Sequence, residues 1–327
     1  MAYISNLTSK SLKTVAAAAL GFMAFAGTAQ AWEPNKPVDF VIMAGAGGGA
    51  DQIGRFLQSV AEKKDLTNRP LVPNNKGGGS GAEALIALNT ARDPDHTILV
   101  TLNSFFTTPM RQENLGIDVG TFTPIAMMGV DPFVLWVHKD SGITTFEEWV
   151  EAVKASDDYV MGGTGKGQED SIVIAYLEDA LDIDVKYIPY KGGGDVAKDL
   201  AGKQIMATVN NPAETKGFYA NGDVVPLLSF SDERMPAFPD VPTLKEKGFD
   251  FSYYNQRAVV GAPGQSPEAA EYYQNLFKTI YETEEWQQYM ETESLSPLWM
   301  TPEEQKDYWQ VQIENHKALL ADMESEG

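Results

Sequence analysis

Short apolar runs, rich in β-branched and aromatic residues, alternate along this chain with stretches of helical periodicity. That alternation is typical of βα units, which build a largely parallel sheet with helices packed against it. Ten runs are predicted strands, and in chain order they read VDFVIMA, RPLVPN, TILVTLN, TPIAMMG, PFVLWVH, DYVMGG, VKYIPY, QIMATVN, VVPLLSF and RAVVGA. The pattern therefore predicts an α/β fold.

Several helices have starts that can be read from the sequence. Thr145 with Glu148 matches a capping box, in which each side chain accepts a hydrogen bond from the backbone of the other residue. Pro267 and Pro302 stand where the first turn of a helix tolerates proline. After each of these prolines, aromatic residues recur at spacings of three and four, which predicts that their Trp and Tyr side chains pack in the core.

Three segments of the chain recur in the same order. MAGAGGGAD, at Met43–Asp51, aligns with MGGTGKGQE, at Met161–Glu169, at a separation of 118 residues, and this alignment pairs Asp51 with Glu169. VPNNKGGGSGAEAL is echoed 115 residues later by IPYKGGGDVAKDL, and TLN is echoed 107 residues later by TVN. Because the separation shrinks only gradually, the repeats predict two lobes built on one plan.

Two similar α/β lobes normally bind a ligand between them, at the carboxyl ends of their strands. The segments GVDPFVLWVHKDSG and YYNQRAVVGAPG flank the second copy and are predicted to cross between the lobes as a hinge of two strands. This predicts a discontinuous first lobe, residues 32–132 and 258–327, and a second lobe, residues 133–257. Each lobe is expected to be a mostly parallel sheet flanked by helices.

The glycine-rich segments lie where a strand turns into a helix. The first backbone N–H groups of a helix have no internal partner and carry a partial positive charge, so an anion can bind there without a cationic side chain. Two such loops that face each other suit a ligand with more than one carboxylate. The alternatives are a tight turn without ligand and a dinucleotide site, since Gly45, Gly47 and Ala50 match G-x-G-x-x-A and Asp65 lies 20 residues after Gly45.

The first 31 residues have the features of a signal peptide. Lys10 and Lys13 precede the apolar run TVAAAALGFMAFAG, and AQA ends at Ala31 as a small-residue cleavage site. We expect cleavage after Ala31 and export to the periplasm. The sequence has no cysteine, which excludes disulfides, a thiol nucleophile and a cysteine zinc site.

The chain is strongly acidic. Its formal charge of −21 becomes −23 when Lys10 and Lys13 leave with the predicted signal peptide. Such a chain is not expected to bind nucleic acid or an anionic membrane surface. A small anionic ligand stays compatible with this charge, because charges that lie beyond a Debye length of about 8 Å are screened.

No catalytic constellation is recognised in the sequence. GGSGA around Ser80 departs from the G-x-S-x-G elbow because position 82 is alanine. His96, His138 and His316 stand apart, without a metal ligand at helical spacing. The sequence thus predicts no catalytic residue, no bound metal and no cofactor, although its 46 acidic residues leave a paired-carboxylate hydrolase open.

Five segments carry a resemblance to a known family. They are VIMAGAGGGADQIGR, VPNNKGGGSGAEAL, VMGGTGKGQEDSIVIAYLEDAL, IPYKGGGDVAKDLAGKQIMATVNNPAE and PAFPDVPTLKEKGF. In this order they resemble the extracytoplasmic solute receptors of tripartite tricarboxylate transporters, the TctC or Bug-type binding proteins. The resemblance covers nearly the whole chain after Val38.

The resemblance implies a two-lobed periplasmic binding protein without catalysis. Such a receptor closes on a small organic carboxylate and delivers it to the membrane permease subunits of the transporter, and we expect it to be a monomer. A secreted enzyme that acts on a carboxylated substrate is one alternative. A sensor-type receptor with the same cleft is another.

The resemblance also implies where the ligand is held, in part through ordered water. The implied contacts lie in the loops after the first strand of each lobe and at two further strand ends, which supply neutral donors. They are Gly47, Gly48, Gly49 and Asp51 in the first loop, Thr164, Gly165, Lys166 and Gly167 in the second, and Asn103, Ser104, Asn210 and Asn211 at the strand ends. Asp51 is expected to hold the helix start or a water rather than an anion, because like charges repel.

Two cations are further candidates. Lys166 stands where the family more often has an uncharged residue, and it is either a point charge for a ligand carboxylate or a solvated surface lysine. Arg257 would grip a carboxylate through two parallel N–H bonds or form an ion pair across the hinge. The first loop also departs from the family, because MAGAGGG stands where a PFAPGG-like run is common. Aliphatic di- and tricarboxylates remain open, and an aromatic dicarboxylate is open too, because four aromatics are expected near the cleft edge: Phe105, Phe106, Tyr253 and Tyr254.

Overall fold

The computed structural model describes residues 32–325, so the predicted signal peptide and its cleavage site at Ala31 lie outside the described residues. All ten predicted strands are confirmed, with ends within three residues of the predicted ones. The strands are β1 (Val38–Ile42), β2 (Leu71–Asn75), β3 (Thr97–Thr101), β4 (Thr123–Pro132), β5 (Val134–His138), β6 (Val160–Gly163), β7 (Lys186–Pro189), β8 (Ala207–Asn210), β9 (Val224–Ser229) and β10 (Tyr254–Gly261).

The strands form two five-stranded sheets with the same spatial arrangement of parallel and antiparallel pairs, although the antiparallel strand comes last in the chain in the first sheet and first in the second. The first sheet has the order β2-β1-β3-β10-β4, in which β1 pairs in parallel with β2 and β3, and β10 runs antiparallel between β3 and β4. The second sheet has the order β7-β6-β8-β5-β9, with β5 antiparallel between β8 and β9. In each sheet four strands run in one direction and one, β10 or β5, runs against them, so both sheets are mostly parallel, as predicted.

Helices connect and cover the strands. Thr145 caps α4 in a complete capping box with Glu148, and α8 and α10 begin at their prolines, as predicted. Trp286 and Trp309 are buried, which confirms their predicted place in the core. The helices are α1 (Gly49–Lys63), α2 (Ala82–Asn89), α3 (Ser104–Arg111), α4 (Phe146–Lys154), α5 (Glu169–Leu181), α6 (Gly193–Ala201), α7 (Pro212–Ala220), α8 (Pro267–Tyr281), α9 (Glu284–Glu293) and α10 (Pro302–Ser325).

The chain passes from the first sheet to the second at Phe133, between β4 and β5, and returns between β9 and β10. All of β10 belongs to the first sheet, so the chain has returned to that sheet by Tyr254. This is four residues before residue 258, where the first lobe was predicted to resume. From Glu33 onward the described chain forms one compact unit. The division into two lobes that move against each other stays a prediction.

Within the described residues, no helix combines the length and the apolar composition that crossing a membrane requires.

Candidate functional site

A small cavity of about 50 Å³ lies where the two sheets meet. Most of its lining residues lie at or after the carboxyl ends of the six strands that pair in parallel, which is where open α/β sheets bind ligands. Phe133, Asn255 and Arg257 come instead from the junction of β4 and β5 and from β10. The lining residues are Met43, Ala44, Gly48, Gly49, Ala50, Gly77, Leu102, Phe133, Thr164, Gln168, Glu169, Asp170, Lys191, Gly192, Gly193, Asn210, Asn211, Glu214, Asn255 and Arg257.

Four helices start at this cavity. The first residues of α1, α5 and α6 line it, namely Gly49, Glu169 and Gly193, and so does Asn211, which precedes the first residue of α7. Each start presents backbone N–H groups that the helix itself cannot satisfy and the positive end of a helix dipole. The folding pattern of both sheets thus converges donors on one point.

The loops before α1 and α5 share a backbone conformation. Gly47 and Gly167 both have positive φ, +81° and +76°, which glycine adopts without strain. The next residue in each loop donates its N–H to the carbonyl oxygen of Gly45 or of Gly165, over 3.3 Å and 2.9 Å. The structural separation between the loops is therefore 120 residues and not 118.

This shift corrects the pairing of the acids. Asp51 corresponds in structure to Ser171, since the Asp51 carboxylate accepts the N–H of Gly47 at 2.8 Å and the Ser171 hydroxyl accepts the N–H of Gly167 at the same distance. Glu169 corresponds to Gly49 instead. The repeated glycines misled the sequence alignment because they match at more than one register.

Of the thirteen ligand contacts predicted from the sequence, six line the cavity. They are Gly48, Gly49, Thr164, Asn210, Asn211 and Arg257. The other seven lie behind or beside the lining, and they are Gly47, Asp51, Asn103, Ser104, Gly165, Lys166 and Gly167. The predicted loops therefore meet at one place, although seven of the thirteen residues do not line the cavity.

Asp51 and Asn103 have structural hydrogen bonds. The Asp51 carboxylate is buried and, besides Gly47, accepts from Arg55 at 2.8 Å and from Asn75 at 2.9 Å, so it holds its own loop. The Asn103 side chain donates to the carbonyl of Tyr254 at 2.8 Å and accepts from the backbone of Gln256 at 3.0 Å. Asn103 thereby fixes the end of β3 against β10.

Arg257 forms a buried ion pair with Asp131 of the adjacent strand. Its Nε lies 3.0 Å from the Asp131 carboxylate, which also accepts from Nη2, and Nη2 donates to Asn211 at 3.1 Å. Both charged side chains are 1% exposed. A methyl group at Gly49 would come within 2.5 Å of Nη2, so glycine there lets the start of α1 lie against the guanidinium.

Three carboxyl groups of the second sheet's helices face the cavity. Burial raises the pKa of Asp170 to about 7, against the opposing hydrogen bonds from Thr164. Burial likewise raises the pKa of Glu214 to about 7, although Arg257 and the N–H of Gly49 favour its ionised form. Burial also raises the pKa of Glu169, whose Oε1 accepts from both the backbone N–H and the hydroxyl of Ser104.

The two lysines near the loops differ in position. Lys166 is exposed and lies on a separate surface depression, where its carbonyl oxygen accepts from Arg111. Lys191, in the loop before α6, lines the cavity. Of these two lysines, Lys191 is thus the one at the cavity, and the sequence repeat pairs it with Lys76.

The acids Glu169, Asp170 and Glu214 were missed as site residues. Their signal in the sequence is their position, since each lies in the first turn of a helix that follows a predicted strand, in QED and in NNPAE. The aromatics Phe105 and Phe106, expected near the cleft edge, are buried, and Phe105 packs against Trp309.

Comparison with known proteins finds relatives over most of the chain. Residues 53–324 match the profile of the tripartite tricarboxylate transporter family receptors, TctC. A Cupriavidus necator protein named "UPF0065 protein in gbd 5'region" is 25% identical over 308 residues, which cover 93% of each chain.

Two solved structures superpose closely on the chain. The periplasmic binding protein BugD is 25% identical in sequence. Its superposition covers 88% of this chain and 97% of BugD, with a TM-score of 0.83. An R. palustris protein solved with adipate is 18% identical, with the same TM-score and coverage, and supports the fold.

Proposed function

The chain belongs to the tripartite tricarboxylate transporter receptor family, and from this premise we propose that it captures a small organic di- or tricarboxylate in the cavity between its sheets. We propose further that it is exported to the periplasm after cleavage at Ala31, acts as a monomer and delivers the ligand to the membrane permease subunits of a transporter.

The convergence of four helix starts on one cavity carries this proposal. Hydrogen bonds to a charged group contribute roughly 1.5 to 3 kcal/mol each, so a few of them, less ordering costs, support the roughly 8 kcal/mol of a micromolar complex. The buried guanidinium of Arg257 adds a positive charge beside Gly49. Because the donors come from both sheets, a ligand with two carboxylates can contact both.

The R. palustris protein solved with adipate supports a dicarboxylate as the ligand class. Adipate has two carboxylates joined by a flexible apolar chain, and we expect each carboxylate to contact helix starts of one sheet when the sheets part to admit it. The family consists of transport receptors, so we propose binding without turnover.

Titration calorimetry on the protein purified from the periplasmic fraction tests the proposal. Adipate, malate and citrate are compared with butyrate and glucose, and the intact mass of the protein reports whether the chain begins at Trp32. We expect micromolar binding of at least one polycarboxylate and none of glucose. If no carboxylate binds, the proposal is wrong, and loss of the ligand's NMR signals during incubation would instead favour a secreted enzyme.

A ligand that contacts both sheets is expected to favour a closed arrangement, because its affinity differs between open and closed states. X-ray scattering with and without saturating adipate measures this. An unchanged radius of gyration in the presence of bound ligand would contradict closure.

A further inference from the structure

Glu214 holds a position that its own helix does not require. It lies in the first turn of α7, on the second sheet's side, yet its Oε1 accepts a hydrogen bond of 2.7 Å from the backbone N–H of Gly49. Gly49 is the first residue of α1, whose early N–H groups have no partner within the helix. A carboxylate of the chain itself therefore occupies a donor that faces the cavity.

Several groups around this carboxylate favour its ionised form, although burial is the larger effect and raises its pKa. Its Oε2 lies beside the start of α6, since a methyl group at Gly193 would come within 2.0 Å of that oxygen. Together with α1 and α7 this makes three helix starts, and each favours an anion through its dipole and free N–H groups. The guanidinium of Arg257 lies on the other side of Gly49.

A second carboxylate repeats the arrangement. Glu169, the first residue of α5, reaches across to the start of α3 and accepts from the backbone and the hydroxyl of Ser104. In both cases a carboxylate on a helix of the second sheet accepts a hydrogen bond from the first backbone N–H of a helix of the first sheet. The chain thus supplies, from one side of the cavity, the groups that an anionic ligand would present.

We propose that Glu214 is an internal competitor of the ligand and determines its affinity and class. The inference rests on the proposed function, because it places a ligand carboxylate on the N–H of Gly49. That carboxylate must displace Glu214 and replace its hydrogen bond. A monocarboxylate only replaces the hydrogen bond of Glu214 and so gains little binding free energy. A dicarboxylate forms additional hydrogen bonds through its second carboxylate, so Glu214 favours the binding of dicarboxylates.

Calorimetric titration of adipate into the wild type and the variants Glu214→Gln and Glu214→Ala tests the inference. Removing the competing charge is expected to tighten adipate binding at least tenfold at pH 8, and to tighten butyrate binding enough to narrow the preference for adipate. Glu83→Gln is the matched control, because Glu83 also lies in the first turn of a helix and accepts a backbone N–H, that of Gly78, but outside the cavity lining. We expect this control to bind within twofold of the wild type.

The outcomes separate the two proposals. If the wild type binds adipate and neither Glu214 variant binds it more tightly, the inference is wrong and the proposed function stands. Weaker binding by both variants, with the control unchanged, would identify Glu214 as a ligand contact and also overturn the inference. If neither the wild type nor any variant binds a carboxylate, both proposals fail.

Amide hydrogen exchange supplies a measurement without ligand. In the free protein, exchange at Gly49 is expected to be at least tenfold faster in Glu214→Ala than in the wild type, because the N–H loses its acceptor. Adipate should restore protection in the variant. Thermal melting verifies folding, and Glu214→Leu serves if the alanine variant is unfolded, since Gln would keep an oxygen that accepts the N–H of Gly49. Equal exchange at Gly49 in wild type and variant would overturn the inference.

Discussion

The loops that precede α1 and α5 have the same backbone but offer opposite chemistry to the cavity. Both contain a glycine with positive φ, Gly47 or Gly167, followed by a residue whose N–H closes the turn. Two residues after that glycine, the first loop has Gly49, whose N–H donates to Glu214. The second loop has Glu169 at this position, whose carboxylate accepts from Ser104. One loop donates hydrogen bonds and the other accepts them.

The difference shows what a repeated backbone does and does not determine. The glycines determine where each helix begins, and thereby bring both loops to the same cavity. The residues at the helix starts then decide the direction of hydrogen bonding. Single substitutions in or beside either loop therefore separate the effect of the backbone from that of the side chains.

Replacing Arg257 is expected to have the largest effect, since its guanidinium lies between Gly49 and Asn211 and so belongs to both sides. Arg257→Met leaves the Asp131 carboxylate buried without its partner, which costs about 3 to 5 kcal/mol of the free energy of unfolding in urea. The double variant with Asp131→Asn removes both charges and should recover more than half of the loss. A loss below about 1 kcal/mol, the range of exposed pairs, would contradict a buried ion pair.

Replacing Asp170, which follows the second loop, tests how its raised pKa makes the stability of the protein depend on pH. Because burial raises the pKa of Asp170 to about 7, its contribution to stability is fully present below the ordinary pKa and is lost as the pH rises through about 7. The asparagine of Asp170→Asn resembles the protonated carboxyl in shape but does not ionise. Between about pH 5.5 and 8.5 the free energy of unfolding should therefore fall by about 2 kcal/mol less in this variant than in the wild type. Melting curves across this range measure it, and parallel pH profiles of wild type and variant would refute it.

The corrected pairing of the loops can be tested at Asp51 and Ser171. Asp51→Asn weakens the acceptor of Gly47, Arg55 and Asn75 and should cost about 1.5 kcal/mol, because hydrogen bonds to charged groups are the stronger ones. Ser171→Ala removes a neutral acceptor and should cost about 0.5 to 1 kcal/mol. Urea unfolding of both variants measures the difference. If Ser171→Ala lost more unfolding free energy than Asp51→Asn, the hydrogen bonds of the second loop would be the stronger ones, contrary to our expectation.

The smallest effects are expected at the lysines. Lys191 lines the cavity, so Lys191→Met should weaken adipate binding about two- to fivefold, as the loss of roughly 0.5 to 1 kcal/mol implies. Lys166 is exposed outside the lining, and Lys166→Met should change the affinity less than twofold. Calorimetry on both variants decides between them. The opposite order would support the contact at Lys166 that the sequence pattern suggests.

The strands and helix starts could be predicted because their signals are local. A capping box such as Thr145 with Glu148 spans four residues, and alternating apolar runs define a strand within a similar length. The cavity could be placed for the same reason, since it lies where the predicted strands end.

The side-chain partners in the cavity could not be predicted in this way. Gly49 and Glu214 are 165 residues apart, and Ser104 and Glu169 are 65 apart. Nothing near Glu214 in the chain indicates that its carboxylate satisfies another helix. The two-residue error in the repeat has a further cause, because alternate glycines such as Gly45 and Gly47 allow more than one register.

The late position of β10 has a consequence for how the chain matures. β10 separates β3 from β4 in the first sheet, so β4 has no strand partner in that sheet until residues 254–261 have been made. At roughly 5 to 20 residues per second, the interval between the end of β4 and the start of β10 is about 6 to 24 s of synthesis. During that time the first sheet lacks the strand that joins β4 to β3. A protein that must cross a membrane before it folds would gain time from this order of strands.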